Sequence, residues 1–230
     1  MKLTKIIVIF ISAALLFNAG CTLLDIGGVL GTPTHGEKVV PAEFDLKNHV
    51  DKENTILVLV DGGPVAAANI TFQQNLSDII SGYLQARAKI DGRYVASNAL
   101  PLILRTLSMS RSSGITPEQV ARQVGAKWVL HVIIEDYNLY QMHDSSYYSG
   151  SLATRSFLYD AESGQRIWPA EPEGKYIFNR VELEVKGKEA TTERLRSAAG
   201  YCITRYLYDC KEDQFRVADE VEYHGMSQFE

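Results

Sequence analysis

The stretch that most constrains the fold is Lys127 to Tyr140, KWVLHVIIEDYNLY. Trp128 to Ile134 is apolar except for His131 and rich in Val and Ile. A β-branched run of about seven residues fits a strand covered on both faces. From Glu135 the polarity rises through Asp136 and Asn138, as in a strand that leaves the core and runs into solvent. Gly125 stops a helix just before it. A second strand, Ser151 to Asp160, follows a polar, tyrosine-rich bend. The two predict a long hairpin on which the remaining pieces pack.

Residues 1–20 read as a signal peptide. Lys2 and Lys5 form a basic start, Ile6 to Phe17 is apolar except for Ser12, and Ala19 and Gly20 are small residues suited to cleavage. The apolar run is shorter than the roughly 20 residues a transmembrane helix needs. Asn-Ala-Gly-Cys, ending at Cys21, resembles a bacterial lipobox, although Asn18 stands where such motifs usually carry Leu. The resemblance implies a diacylglycerol on the Cys21 thiol and a third acyl chain on its amino group. Two or more chains hold a soluble domain stably on a bilayer. The plainer alternative is an ordinary secretory signal with a chance cysteine. Thr22 follows; by analogy with enteric bacteria, where Asp at this place retains a lipoprotein in the inner membrane, it favours the outer one, facing the periplasm.

Thr22 to Lys52 holds Gly, Pro and charge without sustained periodicity and reads as a flexible tether, with an extended segment near Pro41 to Phe44 and a reach of roughly 30 Å. Residues 53–210 form the expected single α/β domain, and residues 211–230 an acidic, polar tail. The formal net charge of −5 becomes two charges more negative once residues 1–20 are removed, and no run of Lys and Arg is present, so nucleic acid is not an expected partner.

Within the domain, Thr55 to Asp61 is a buried strand ended by Gly62-Gly63-Pro64. Neither this Gly-Gly nor the segment Gly31 to Lys38 has the spacing of a phosphate loop. Thr71 with Gln74 fits a capping box opening a helix whose apolar face is Phe72, Leu76, Ile79, Ile80, Tyr83 and Leu84. Arg93 to Ala96 is a short strand, Asn98 to Leu107 a short helix, and Ser108 to Gly114 a loop. Thr116-Pro117-Glu118-Gln119 is the clearest helix start in the chain, with cap, proline at the first position and a closing glutamine. A β-helix-helix-β unit thus runs from Thr55 to Ile134 and predicts a mixed sheet with helices on it. Asp160 to Gly164 is a turn, Gln165 to Trp168 and Tyr176 to Val185 are strands, and Gly187 breaks the last of them. Thr191 to Tyr208 is a helix with an apolar stripe of Leu195, Ala198, Ala199, Cys202, Ile203, Tyr206 and Leu207.

Two segments carry a family resemblance. Val124 to Tyr137, VGAKWVLHVIIEDY, and Asp160 to Trp168, DAESGQRIW, resemble the long strand and the following hairpin of CsgG-like and LpoB-like lipoproteins. The order of elements is similar over Thr55 to Tyr208. The resemblance implies a non-enzymatic α/β domain: one branch of the family forms an export pore for curli subunits, another activates a cell-wall synthase. The Asp-to-Trp segment also resembles one blade of a quinoprotein propeller, but a propeller repeats its motif and here it occurs once. The pore branch inserts two hairpins per subunit. This chain offers one candidate, Tyr137 to Leu158, with a polar centre and flanks short of the 9–11 residues of alternation a membrane strand needs.

The residues give little sign of catalysis. His131 in its apolar strand reads as a core histidine, with no Ser or Cys nucleophile tied to it. Glu135, Asp136, His143 and Asp144 could meet as an oxygen-rich metal site, or be a solvated strand end. Cys202 reads as a buried thiol. A bridge to Cys210 would require the helix to end near Tyr208 and the chain to fold back, because an unbroken helix would hold the two about 12 Å apart. No spacing suggests zinc, and no cofactor is expected. Tyr137, Tyr140, Tyr147 and Tyr148 make the bend aromatic; they could form a partner surface, since Tyr gives large area at low entropic cost, or pack on one another across the strands. Three readings follow: a lipid-anchored envelope domain that binds another envelope protein or itself, a subunit of a curli-type export ring, and an envelope hydrolase.

Overall fold

The structure, a computed structural model, describes residues 38–63, 65, 69–94, 115–141 and 147–212. The expected helix Asn98–Leu107 and loop Ser108–Gly114 lie outside the described residues, as do Cys21, His143 and Asp144. Among the described residues, seven strands occur: β1 Val39–Val40, β2 Ile56–Asp61, β3 Trp128–Gln141, β4 Tyr147–Asp160, β5 Arg166–Trp168, β6 Lys175–Lys186 and β7 Cys210–Lys211. Three α-helices accompany them: α1 Ile70–Arg87, α2 Pro117–Gln123 and α3 Lys188–Thr204. The class is mixed α+β, a five-stranded sheet with a small antiparallel sheet of β1 and β7.

The long stretch forms the centre of the sheet, as its composition predicts. β3 pairs parallel with β2 from Ile56↔Trp128 to Asp61↔Ile133 and antiparallel with β4 from Trp128↔Asp160 to Gln141↔Tyr148. The far edge of β4 is shared: β6 pairs along Tyr147 to Ser156, and β5 continues at Leu158 and Tyr159. The two faces of β3 enter two cores. Trp128, Leu130, Val132 and Ile134 join Ile56, Val58 and Val60 in the main core, closed by Leu76, Ile80 and Leu84 of α1 and Leu195, Ala198, Ala199 and Cys202 of α3. Val129, with Leu57 and Leu59, packs instead against Val120 and Ala121 of α2. Burial on both faces explains why this strand reads as a continuous apolar run.

Most helix signals hold, with one displaced. α2 has the full capping box: the Thr116 hydroxyl accepts from the Gln119 amide and the Gln119 side chain from the Thr116 amide. α1 begins earlier than expected: its cap is Asn69, whose Oδ1 accepts from the Phe72 amide at 3.0 Å, so Thr71 lies inside the first turn. Both residue types can cap, and here the amide two positions upstream does so. Gly92–Tyr94 is a 3₁₀ turn where the start of a strand was expected. α3 runs from Lys188, immediately after Gly187, and passes at Arg205–Leu207 into a 3₁₀ turn.

The segment expected to be tether up to Lys52 contributes to the fold from Val39 onward. Val39 and Val40 pair with Lys211 and Cys210. The Glu43 amide donates to the Tyr206 carbonyl at 2.9 Å, Leu46 is fully buried, and Val50 is buried. The Glu43 carboxylate accepts from Trp168 Nε1 at 2.7 Å and from Lys175 Nζ at 2.6 Å. Trp128 Nε1 donates to the His49 carbonyl at 3.2 Å. Without apolar periodicity these residues signal no more than an extended stretch near Pro41 to Phe44, yet two tryptophan N–H groups and a sheet edge fix them in place. Lys211, expected to begin the tail, is likewise part of β7.

Candidate functional site

The open end of the hairpin, beyond the two cores, is shaped by a β-bulge. Ile134 pairs with Thr154, but the next pair is Asp136↔Ala153, so Glu135 is an extra residue on β3. One extra residue shifts the alternation by one. Before the bulge the even-numbered residues of β3 face α1 and α3; after it the odd-numbered ones do. Tyr137, Leu139 and Gln141 therefore turn toward the helices, and Asp136, Asn138 and Tyr140 toward the opposite face.

The four candidate tyrosines are divided accordingly. Tyr137 packs its ring on Phe72 of α1 at 4.4 Å between centroids, and its hydroxyl lies 3.2 Å from the Thr192 hydroxyl of α3. Tyr148, paired with Gln141, lies on this same face. Tyr140 is 62% exposed on the other face. Tyr147, preceding Tyr148 in an alternating strand, also points there and is 37% exposed. The expected single aromatic surface is thus two surfaces. On the open face Tyr176 and Phe178 of β6 are exposed as well, paired with Arg155 and Ala153. The Arg155 guanidinium lies 5.5 Å from the Tyr176 ring centroid and pairs through Nε and Nη2 with Glu135.

On the helix face the hairpin end, the start of α1 and the start of α3 enclose a cleft of about 900 Å³. Phe72, Tyr137, Leu139 and Tyr148 supply its apolar and aromatic wall; Asn75, Gln141, Lys188, Glu189 and Arg196 supply polar groups. Its volume falls within the range of known ligand clefts, and the cleft is open on one side. Gly150, opposite Leu139, lets α3 approach closely, because a Cβ there would meet Leu139 Cδ2 at 2.9 Å and Leu195 Cδ2 at 3.3 Å. Gly187 precedes α3 at φ 103°, a conformation other residues adopt only with strain, and leaves that helix without a side-chain cap. Arg196 is 8% exposed; its Nη2 donates to Glu193, its guanidinium lies 5.6 Å from the Phe72 ring centroid, and its Nε is buried without a hydrogen-bond partner. Sequence reasoning missed Lys188 and Arg196. The Gly-Lys pair at 187–188 was the available signal for an uncapped helix start, and Arg196 interrupts an otherwise apolar helix stripe.

The remaining candidates are dispersed. His131 is buried beside the α2 side of the sheet, and burial holds its imidazole below the ordinary histidine range against the pull of the Asp61 and Glu118 carboxylates. Glu135 is occupied by Arg155, and Asp136 accepts from Asn138 Nδ2 at 2.6 Å. Among the described residues no three His, Cys, Asp or Glu side chains are grouped to hold a metal ion. Cys202 and Cys210 are both buried thiols, although α3 does end before Tyr208; Asn179 Nδ2 lies 3.2 Å from Cys202 Sγ. Among the described residues no helix is long and apolar enough to cross a membrane.

No protein-family model matches the chain, and no curated protein matches it. Solved structures similar to it include bacterial lipoproteins. Lipoprotein GNA1162 from Neisseria meningitidis is 17% identical, with a TM-score of 0.41, covering 66% of this chain and 98% of its own. The LpoB C-terminal domain from Salmonella enterica is 16% identical, with a TM-score of 0.31, covering 69% and 93%. The PelC dodecamer from Paraburkholderia phytofirmans is 12% identical, with a TM-score of 0.40, covering 74% and 96%.

Proposed function

We propose that the chain is a lipid-anchored protein of the cell envelope, held by Cys21 at the outer membrane, whose non-enzymatic CsgG/LpoB-like domain binds another envelope protein at the far end of its hairpin. The anchor rests on the signal-peptide layout of residues 1–20 and the lipobox-like residues before Cys21. The docking reading is carried by one observation: Tyr137 and Tyr148 wall a cleft of about 900 Å³ between two helix starts. Aromatic side chains in a concave, partly desolvated setting are the usual anchors of protein recognition. A second reading, self-association, draws on the exposed Tyr140, Tyr147, Tyr176 and Phe178 of the opposite face. In its extended form it is the curli-type ring.

The two readings use opposite faces and separate in one experiment. A photoreactive phenylalanine analogue is placed at Tyr148 in one variant and at Tyr140 in another, and both are irradiated in their own membranes before mass analysis. The expected result is a single adduct from the Tyr148 variant to a different envelope protein. A ladder of self-adducts from the Tyr140 variant, ending at a fixed size, would replace the proposal with the ring. Absence of any adduct from either variant would overturn both.

A further inference from the structure

We infer that the cleft recognises a carboxylate carried on an apolar peptide segment. The inference rests on the docking reading and adds the chemistry of what docks. Three features converge. The first turns of α1 and α3, helices of 18 and 17 residues, both line the cleft through Thr71 and Phe72 and through Lys188 and Glu189. The positive ends of two helix dipoles thus meet at one place. The Asn69 side chain caps α1, but α3 follows Gly187 with no side-chain cap, so its leading amides keep their donor capacity.

The second feature is Arg196. A guanidinium is rarely placed nine-tenths out of solvent without a full set of acceptors, because its desolvation must be offset by hydrogen bonds. Here one acceptor is present, the Glu193 carboxylate, whose side chain is 57% exposed, while Nε has none. The group is held against Phe72 at the cleft wall with acceptor demand left over. A planar oxyanion is the acceptor a guanidinium fork fits.

The third feature is the charge balance, which selects among anions. Lys188 and Arg196 are the cations of the lining, Glu189 is its acid, and Glu193 already pairs with Arg196. These formal charges cancel, two positive against two negative, so a phosphate dianion is disfavoured and a single carboxylate would be held by the directed donors of the α3 start and the guanidinium rather than by net charge. The other half of the wall, Phe72, Tyr137, Leu139 and Tyr148, suits an apolar side chain beside that charge. A peptide carboxylate next to an apolar or aromatic residue meets both requirements.

The test uses the full lipidated chain in detergent and two small probes, N-acetylphenylalanine and its amide, which differ only in the carboxylate. Titration calorimetry is expected to show the acid binding about tenfold more tightly than the amide, the difference shrinking as salt is raised. Arg196→Gln should abolish the preference. Because Arg196 is buried and its loss could disturb folding, Lys188→Ala, at an exposed position, is the second variant and should reduce the preference while leaving the unfolding midpoint unchanged. Equal binding of acid and amide, or binding of neither, would overturn the inference. If the Tyr148 photoadduct persists in that case, the docking reading stands and the carboxylate alone is wrong; if the adduct is missing too, both fall.

Discussion

Leu130→Ala lowers the unfolding free energy by about 2–5 kcal/mol, the range for emptying a fully packed leucine site. Leu130 is 0% exposed in the middle of β3. Its cross-strand partners, Val58 on β2 and Leu158 on β4, are both buried. All three face α1 and α3 in the main core. β3 is paired on both sides, as is β4, so the sheet around Leu130 has little freedom to collapse into the space. With a total stability of about 5–15 kcal/mol for an ordinary domain, the loss is a large share of the whole. Urea unfolding should show a lower midpoint with an unchanged slope. Tyr140→Ala, on the same strand but past the bulge and exposed, is the control and should stay within about 0.5 kcal/mol. A Leu130→Ala loss smaller than the control's would contradict the placement of β3 at the centre of the sheet.

Trp168→Ala is expected to cost about 3–5 kcal/mol, for a different reason. Trp168 is 3% exposed at the end of β5, its ring 6.2 Å from that of Tyr206 and its Nε1 bonded to Glu43. It therefore joins the sheet, the turn after α3 and the segment that enters the domain from the amino terminus. The alanine variant removes the packing and the bond together. Trp168→Phe keeps much of the packing and should cost about 1–2 kcal/mol through the lost bond to the carboxylate. Hydrogen exchange separates the contributions. In both variants the amides of Glu43 and Phe44, which donate to the Tyr206 carbonyl, should exchange faster than in the parent. Loss of stability with unchanged protection at Glu43 would mean that residues 39–50 are held by something other than Trp168.

The contrast between these two sites shows what the sequence makes legible. Leu130 lies in a run whose composition alone announces a two-sided strand, and Thr116 to Gln119 spells out its capping box. Such signals are local, and the structure places them where they were read. The clasp of Val39 to Val50 is held by distant partners, Trp168, Tyr206 and Cys210, which nothing in that segment's own pattern reveals. The division of the tyrosines has the same origin. A bulge at Glu135 leaves no mark in an alternating sequence that is already becoming polar, yet it decides that Tyr137 turns inward to Phe72 and Tyr140 outward. The cleft escaped sequence reading because its walls come from α1, the hairpin and α3, spread over more than a hundred residues from Asn69 to Arg196. Of its two polar features, the uncapped helix start is hinted at by Gly187 before Lys188, whereas the half-satisfied Arg196 guanidinium is a property of packing.

Fractionation of cells producing Cys21→Ala tests most directly the proposal that the chain is held at a membrane through Cys21. The parent protein is expected in the membrane fraction and released by detergent but not by high salt. The variant is expected in the soluble fraction with the parent's unfolding midpoint, since two or more acyl chains supply the attachment. A folded Cys21→Ala protein that stays with the membrane, or a parent that is already soluble, would contradict the lipid anchor.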